Sequence, residues 1–182
     1  MKTWLDKFIR EVRMRKAEKL INGGIVYDIG CDDGTFLRRI KNKIKEGKGF
    51  DKNTVGGKED NLTLKNILIK DKIPASNESV DYITMLAVLE HLDNPEKILK
   101  ECNRILKKDG MLILTTPHPR NKKVLDLLCK LGLVEWGKDE IEEHKEYFNK
   151  EKILEILDKS GFKKINHRLF EFGLNNFVVA QK

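Results

Sequence analysis

No stretch of this chain approaches the roughly 20 consecutive apolar residues that a membrane-crossing helix needs. The opening segment MKTWLDKFIR interleaves charges with its apolar residues, which does not read as a secretory signal. Cysteine is scarce. Cys31, Cys102 and Cys129 are odd in number and widely spaced, and read as reduced thiols of a cytoplasmic protein rather than as a disulfide framework. No His/Cys cluster has metal-ligand spacing, so no metal site is expected. Internal repeats and low-complexity segments are missing as well. What is plentiful is charge: Lys+Arg 36 against Asp+Glu 29, a net +7 spread along the chain. Such a diffuse excess permits an anionic partner without demanding one, so nucleic acid is not expected and contact with a membrane surface stays open. The 182 residues suit one domain, and 40% hydrophobic content is enough for a sizeable core.

Apolar periodicity predicts a basic amphipathic helix over residues 3–21. Trp4, Leu5, Phe8, Ile9 and Val12, then Ala17, Leu20 and Ile21, form its apolar face, with Arg10, Arg13, Arg15, Lys16 and Lys19 opposite. That helix, residues 1–23, precedes a domain at 24–182. Strands are predicted at IVYDIG, GKGFD (47–51), LTLKNILIK (62–70), VDYITML (80–86) and MLILTT (111–116). Between them come a helix from Phe36 to Ile44, a loop at 52–61, and a helix through DNPEKILKECNRILKKDG. Asp93 or Asn94 can cap that last helix, Pro95 fits its first turn and Gly110 closes it. Helices follow at 121–132 and 149–160, then two strands with no helix between them, read as an antiparallel pair. Strands alternating with helices imply an α/β fold: a doubly wound, mostly parallel sheet of seven strands with an antiparallel last strand.

The chemistry is written in VYDIGCDDGTF (26–36). Gly30 and Gly34 permit close backbone approach in a turn that leaves the first strand, but no third glycine stands between them. Asp32 does. Asp51, 17 residues after Gly34, ends the second strand, where an acid can accept hydrogen bonds from both hydroxyls of a ribose. A dinucleotide would set a pyrophosphate against Asp28, Asp32 and Asp33. S-adenosylmethionine has no phosphate and carries an ammonium and a sulfonium, so it suits an acidic turn better.

Three segments carry a family resemblance: VYDIGCDDGTFL, GFD (49–51), and the run from Ile73 to Pro117 that contains LEHL. The chain resembles the class I S-adenosylmethionine-dependent methyltransferases, in particular the type 11 group, over roughly residues 24–182. The resemblance implies methyl transfer from S-adenosylmethionine to a small or medium acceptor, a small molecule or a glycan- or lipid-like one. It implies a cofactor site of Asp28, Gly30, Cys31, Asp32, Gly34, Asp51 and Leu86. Where this chain has Asp32 the family has glycine, which puts a side chain near the methionine end. The adenine-side candidates are Asn66 and Asp71.

Cys31 reads as a small packed residue. LEHL is placed by the resemblance beside the transfer pocket, with His91 structural at a helix start. His118, after the fifth strand, and His144, before the last helix, are the candidate catalytic residues. Trp136, Tyr147 and Phe148 read as core more readily than as acceptor lining, and His167 as surface. Helix 3–21 could be a solvated face, but it reads more readily as a lid over the cofactor or a contact for the acceptor, with nucleic acid and a membrane surface as lesser alternatives. Two rivals stay open: a nicotinamide-dependent oxidoreductase, and a binding module that keeps the fold without the chemistry.

Overall fold

The structure is a computed structural model that describes residues 4–120, 124 and 145–182. The chain runs α1 (Trp4–Glu18), β1 (Ile25–Ile29), α2 (Thr35–Ile40), β2 (Glu46–Asp51), β3 (Gly57–Glu59), β4 (Leu62–Asn66), β5 (Val80–Leu86), α3 (Pro95–Ile105) and β6 (Leu106–Pro117). It ends with α4 (Lys150–Lys159), β7 (Lys163–Phe170) and β8 (Asn175–Gln181). Short 3-10 turns follow α2 and β5, the second at Leu89–His91. The helix predicted over 121–132 lies, but for Val124, outside the described residues, as do Cys129, Trp136 and His144.

The strands form one sheet in the order β3-β4-β2-β1-β5-β6-β8-β7. Strands β4, β2, β1, β5 and β6 are parallel, and β8 runs antiparallel beside β6. The chain winds outward from β1 to β4, then returns to the other side with β5. The switch point is therefore the gap between the carboxyl ends of β1 and β5, where ligands of open α/β sheets bind. The seven expected strands are present, and an eighth was not expected. Residues 57–59, read as loop, pair antiparallel with β4 through a tight turn at Asp60 and Asn61. Asp60 takes φ 52, a left-handed conformation that Asp tolerates. A three-residue exposed strand has no burial pattern, so periodicity could not show it.

Two apolar layers enclose the sheet. Tyr27, Ile29, Ile83, Met85, Leu112 and Leu114 face α3 and α4, which contribute Ile98, Leu99, Cys102, Ile105, Ile153 and Leu157. Val26, Leu62 and Ile113 face the other way, onto Met14, Ala17 and Ile21 of α1 and its following turn and onto Phe36, Leu37 and Ile40 of α2. Alternate strand residues thus enter opposite layers, as a sheet covered on both faces requires. Asn94 caps α3 by accepting from Lys97 N at 3.0 Å, with Pro95 in the first turn. The helix stops at Ile105, short of Gly110, because residues 106–110 already extend into β6, where Leu106 pairs with Val80. Helix α4 ends in a left-handed Gly161 (φ 85), whose N–H bonds to Asp158 O.

The apolar face predicted for the first helix holds at Ala17 and Ile21, which are buried, and fails at Phe8 (57% exposed) and Leu20 (36%), which point outward, while Met14 is buried. Met14, Ala17 and Ile21 continue the stripe that begins with Arg10 and Arg13, so those two arginines lie on the inner side of the helix. Ion pairs fix the seating. Glu11 holds Arg39 at 2.8 Å, and Glu18 holds Arg39 at 2.5 Å and Lys43 at 2.6 Å.

Asn176 is the polar tie at the far side of the core. Fully buried, it donates to Thr116 O at 3.1 Å and Phe148 O at 2.9 Å, and its Oδ1 meets half-buried His167 at 2.8 Å. Asn176→Ala removes both side-chain donations; Thr116 O still faces Asn176 N in the β6–β8 ladder, while the Phe148 carbonyl loses its donor. It is expected to destabilise the protein by about 1–3 kcal/mol in urea unfolding, the cost of one abandoned group. A change under about 0.5 kcal/mol would show that the tie carries no weight.

Candidate active site

The turn after β1 is held by backbone bonds to its neighbours. Gly30 N and Cys31 N both donate to Phe50 O, at 2.8 and 3.3 Å. Gly34 N donates to Cys31 O at 2.9 Å, and Thr35 N to the Asp33 carboxylate at 3.0 Å. Asp32 N donates to Asp51 Oδ2 at 3.0 Å. The glycines are required where they stand. A Cβ on Gly30 (φ 73) would lie 2.3 Å from Val88, and one on Gly34 (φ 80) would lie 2.6 Å from Leu64. Asp32 takes φ 49, so it follows the glycine conformation at this position and sends its carboxylate outward.

Asp51 is oriented by two donors, Asp32 N on one oxygen and Asn53 N at 2.8 Å on the other. Each oxygen keeps a second lone pair, enough to accept the two hydroxyls of a ribose. Ile67 N bonds to Asp51 O at 3.1 Å, and the loops that follow β2 and β4 carry the exposed apolar side chains Val55 (88% exposed), Ile67 (42%) and Leu68 (51%). An exposed apolar lip beside a ribose acceptor suits a base ring. Asn66, at the end of β4, instead ties down the loop after β2 by donating to Thr54 O at 2.9 Å, and Asp71 pairs with Lys97 at 2.6 Å on the surface.

Asp28 bridges the switch point. It is buried and accepts from Thr84 Oγ1 of β5 at 2.6 Å. Burial pushes its carboxyl up to about 7, with the Thr84 hydroxyl working against the shift. Cys31 is also buried, and burial with the charges of Asp28 and Asp51 lifts its thiol to about 12, so it is packing rather than a nucleophile. Leu86 closes β5 and packs against the α1 layer. Asp33 is partly buried, which raises its pKa, but Thr35 and Arg10 outweigh that and hold it below the usual carboxylate range.

Helix α1 covers this edge with its inner cations. Arg10 pairs with Asp33 at 2.5 Å and reaches Asp32 at 3.6 Å. Arg13 donates to Asn175 Oδ1 at 3.3 Å, and Lys16 stands over the rings of Phe170 and Phe177 at 5.4 and 5.7 Å. Next to Arg13 lies Glu90 of LEHL, 1% exposed. His91 is exposed, with its N–H on Val88 O. The His118 N–H bonds to Leu174 O at 2.8 Å, and its Nδ1 accepts from Arg120 N at 3.2 Å. Burial, then the Arg120 charge, lowers its pKa, so the ring is neutral at pH 7. Phe148 is buried core. A shallow cavity of about 220 Å³ lies at the opposite edge, lined by Gly24, Asp81 and Lys107 among others; it is far from this chemistry.

The arrangement decides between cofactors. The N–H groups of Gly30, Cys31, Asp32, Gly34 and Thr35 already have protein acceptors. A pyrophosphate therefore finds no nest of free donors there, and it meets three acids. A ligand with hydroxyls and an ammonium fits.

Comparison with known proteins agrees. Residues 1–167 match the family model described as "Methyltransferase domain". The chain belongs to this methyltransferase family. Its S-adenosylmethionine-dependent, class I character is what the motifs implied. A demethylmenaquinone methyltransferase of Staphylococcus aureus is 25% identical over 205 aligned positions, covering 100% of this chain and 83% of the relative. An S-adenosylmethionine-dependent methyltransferase of Archaeoglobus fulgidus superposes with TM-score 0.70 at 18% identity, covering 97% and 94% of the two chains. One from Thermotoga maritima gives 0.67 at 18% identity, covering 97% and 90%. At that identity the structural likeness shows the fold. Among the described residues of this methyltransferase, no cluster of His, Cys, Asp and Glu could hold a metal ion, and no helix is long and apolar enough to cross a membrane.

Sequence reasoning missed the inner role of Arg10 and Arg13, and with it the burial of Glu90. The signal was present in the stripe 10-13-14-17-21, at helical spacing, which continues through Met14 rather than Phe8.

Asp28 gives a pH signature. Its folded pKa, about 7, lies above the ordinary carboxyl value of 3.8, so the folded protein keeps a proton that the unfolded chain releases. The resulting stability is complete below about pH 4 and is lost as the pH rises to about 7. Asp28→Asn is expected to melt higher than the parent at pH 8, by about 2–4 °C per kcal/mol recovered, and level with it at pH 4. A lower melting temperature at pH 8 would mean that the ionised carboxylate is stabilising.

Proposed function

We propose that this methyltransferase acts on a small or medium acceptor held under α1, at the carboxyl ends of β5 and β6, with the cofactor beside it over β1 and β2. The observation that carries the reading is the acidic turn whose N–H groups at Gly30, Cys31, Asp32, Gly34 and Thr35 are engaged by the protein, with Asp51 oriented beside it. Bound S-adenosylmethionine supplies an activated methyl group on a sulfonium, itself a good leaving group. The chain's own part is to bind and aim. Asp51 accepts the ribose hydroxyls, and Val55, Ile67 and Leu68 flank the adenine. Gly30 and Gly34 let the turn approach the methionine end, with Cys31 packed beneath it and Leu86 lining the step to the acceptor. Asp32 offers its carboxylate to the ammonium, and Asp28 holds the switch point through Thr84. Orientation of this kind can contribute about 7–11 kcal/mol to such a displacement.

His118 orders the start of the segment after β6, since its Nδ1 is taken by Arg120 N. In this reading a proton acceptor, where the acceptor molecule needs one, comes from a group nearer the strand ends. Residues 1–23 belong with the domain as its cover, and the cytoplasm is the compartment that suits two buried free thiols, Cys31 and Cys102. The S. aureus relative's name makes a quinone the second candidate acceptor, supported by sequence similarity alone.

Calorimetric titration tests the cofactor assignment. S-adenosylmethionine and its demethylated product should bind, and NAD should not; binding of NAD alone would overturn the reading. Asp51→Ala should weaken cofactor binding by about 1–3 kcal/mol, roughly 5- to 150-fold, for two lost hydrogen bonds. Asp71→Ala should leave it unchanged, and equal losses in the two variants would show that Asp51 is not the ribose acceptor.

A further inference from the structure

Beneath α1 lies a group of polar side chains that cofactor binding leaves unused. Arg13 Nε, Glu90 Oε2, Thr116 Oγ1 and Glu171 Oε1 are each shut off from solvent, with no hydrogen-bond partner among the described residues. They come from four places: α1, the 3-10 turn after β5, the end of β6 and the β7–β8 connection. One network joins them. The Arg13 charge acts on both Glu90 and Glu171. Arg13 donates to Asn175, and Asn175 Nδ2 donates to Glu171 Oε2 at 2.5 Å. The Thr116 hydroxyl stands beside Glu90, close enough to ease its ionisation but outside hydrogen-bond geometry.

Native interiors leave few buried polar atoms unpaired, so four in one place call for an occupant. The backbone points the same way. Ala87 (φ 61) sets the direction of the segment that carries Glu90, and Glu171 (φ 51) and Phe172 (φ 57) are left-handed in succession. Strain of this kind collects at functional sites. Two carboxyls lie within the field of one guanidinium. The other basic side chains nearby are Lys16, which acts on Glu171, and His91, on Glu90's own turn. An anionic guest would add a third negative group to this enclosure. A guest with N–H donors and a positive charge would complete it, giving its donors to Glu90 and Thr116.

We propose that this cluster is the acceptor site, and that the acceptor is a nitrogen base, an amine or an imidazole, held and deprotonated by Glu90. The inference rests on the methyltransferase reading above. The acceptor enters as a cation and gives one proton to the Glu90 carboxylate. The freed nitrogen lone pair forms the bond to the methyl carbon. The carbon–sulfur bond breaks with its electron pair staying on sulfur, which becomes a neutral thioether, and the methylated nitrogen carries the positive charge away. Burial raises the proton affinity of Glu90, against the opposing charge of Arg13, and so suits it to take that proton.

The test uses the full chain saturated with S-adenosylhomocysteine. The affinities of benzylamine, histamine and imidazole are measured beside those of benzyl alcohol, benzoate and the quinol menadiol. The amines should bind and benzoate should not. Glu90→Gln should weaken the amines about tenfold or more, as loss of a charged hydrogen bond does, with S-adenosylhomocysteine bound as before. Thr116→Val keeps the shape of the site and should weaken them about threefold, which supplies the answer where Glu90→Gln does not fold. The proposal is overturned if none of the amines binds. Tighter binding of benzoate or menadiol than of any amine overturns it too, as does unchanged amine affinity in the folded variants. Failure of S-adenosylhomocysteine itself to bind would instead remove the methyltransferase reading, and this inference with it.

Discussion

The turn between Asp28 and Thr35 uses its backbone donors on the protein itself, and the site follows from that. Phe50 O takes two N–H groups and the Asp51 carboxylate a third, so the first and second strands are tied together where the sheet changes direction. The tie orients Asp51 and leaves the turn richer in acids than in free donors, which suits a phosphate poorly. It also explains the glycines. At positions 30 and 34 a side chain would run into Val88 and Leu64, and both positions take positive φ. At position 32 the same left-handed backbone is reached by an aspartate whose side chain points away from the packing, which is why that departure from the family costs the fold little.

The cover on this edge is held by a different kind of force. Helix α1 buries a narrow apolar stripe, Met14, Ala17 and Ile21, and otherwise rests on charge: Arg10 on Asp33, Glu11 on Arg39, Glu18 on Arg39 and Lys43. Such partly exposed pairs contribute at most about 1 kcal/mol each and weaken with salt. The two apolar layers of the sheet are far more extensive than that stripe. Arg10 and Arg13 make the helix more than a cover, since each places a cation over acids of the edge.

Much of the architecture was legible from pattern alone. Alternating strands and helices, the Asn94-Pro95 start of α3, the Gly161 stop of α4 and the helix-free link between the last two strands were sufficient for a doubly wound sheet with an antiparallel member. Local chemistry also marked Asp28, the two glycines and Asp51, because a turn at a strand end needs particular residue types whatever surrounds it. Element ends were less legible. The third helix was read through to Gly110, although β6 takes over at Leu106, because pairing with Val80 is a non-local bond that no window of sequence contains.

The acidity of the cofactor turn and the alternation of strands and helices were thus determined by sequence. Which face of α1 turns inward was decided by tertiary structure, since Arg10 and Arg13 gain acids from α2's approach and from the β7–β8 connection, remote in the chain. Glu90 is the sharpest case. In LEHL it is one polar residue between leucines, equally suited to solvent or to burial. Among the described residues, the seating of α1 brings Arg13 into its field and the end of β6 brings Thr116 beside it. Desolvation and charge pairing are properties of the space around a side chain, and the folded chain assembles that space from segments more than 150 residues apart, from Arg13 to Glu171.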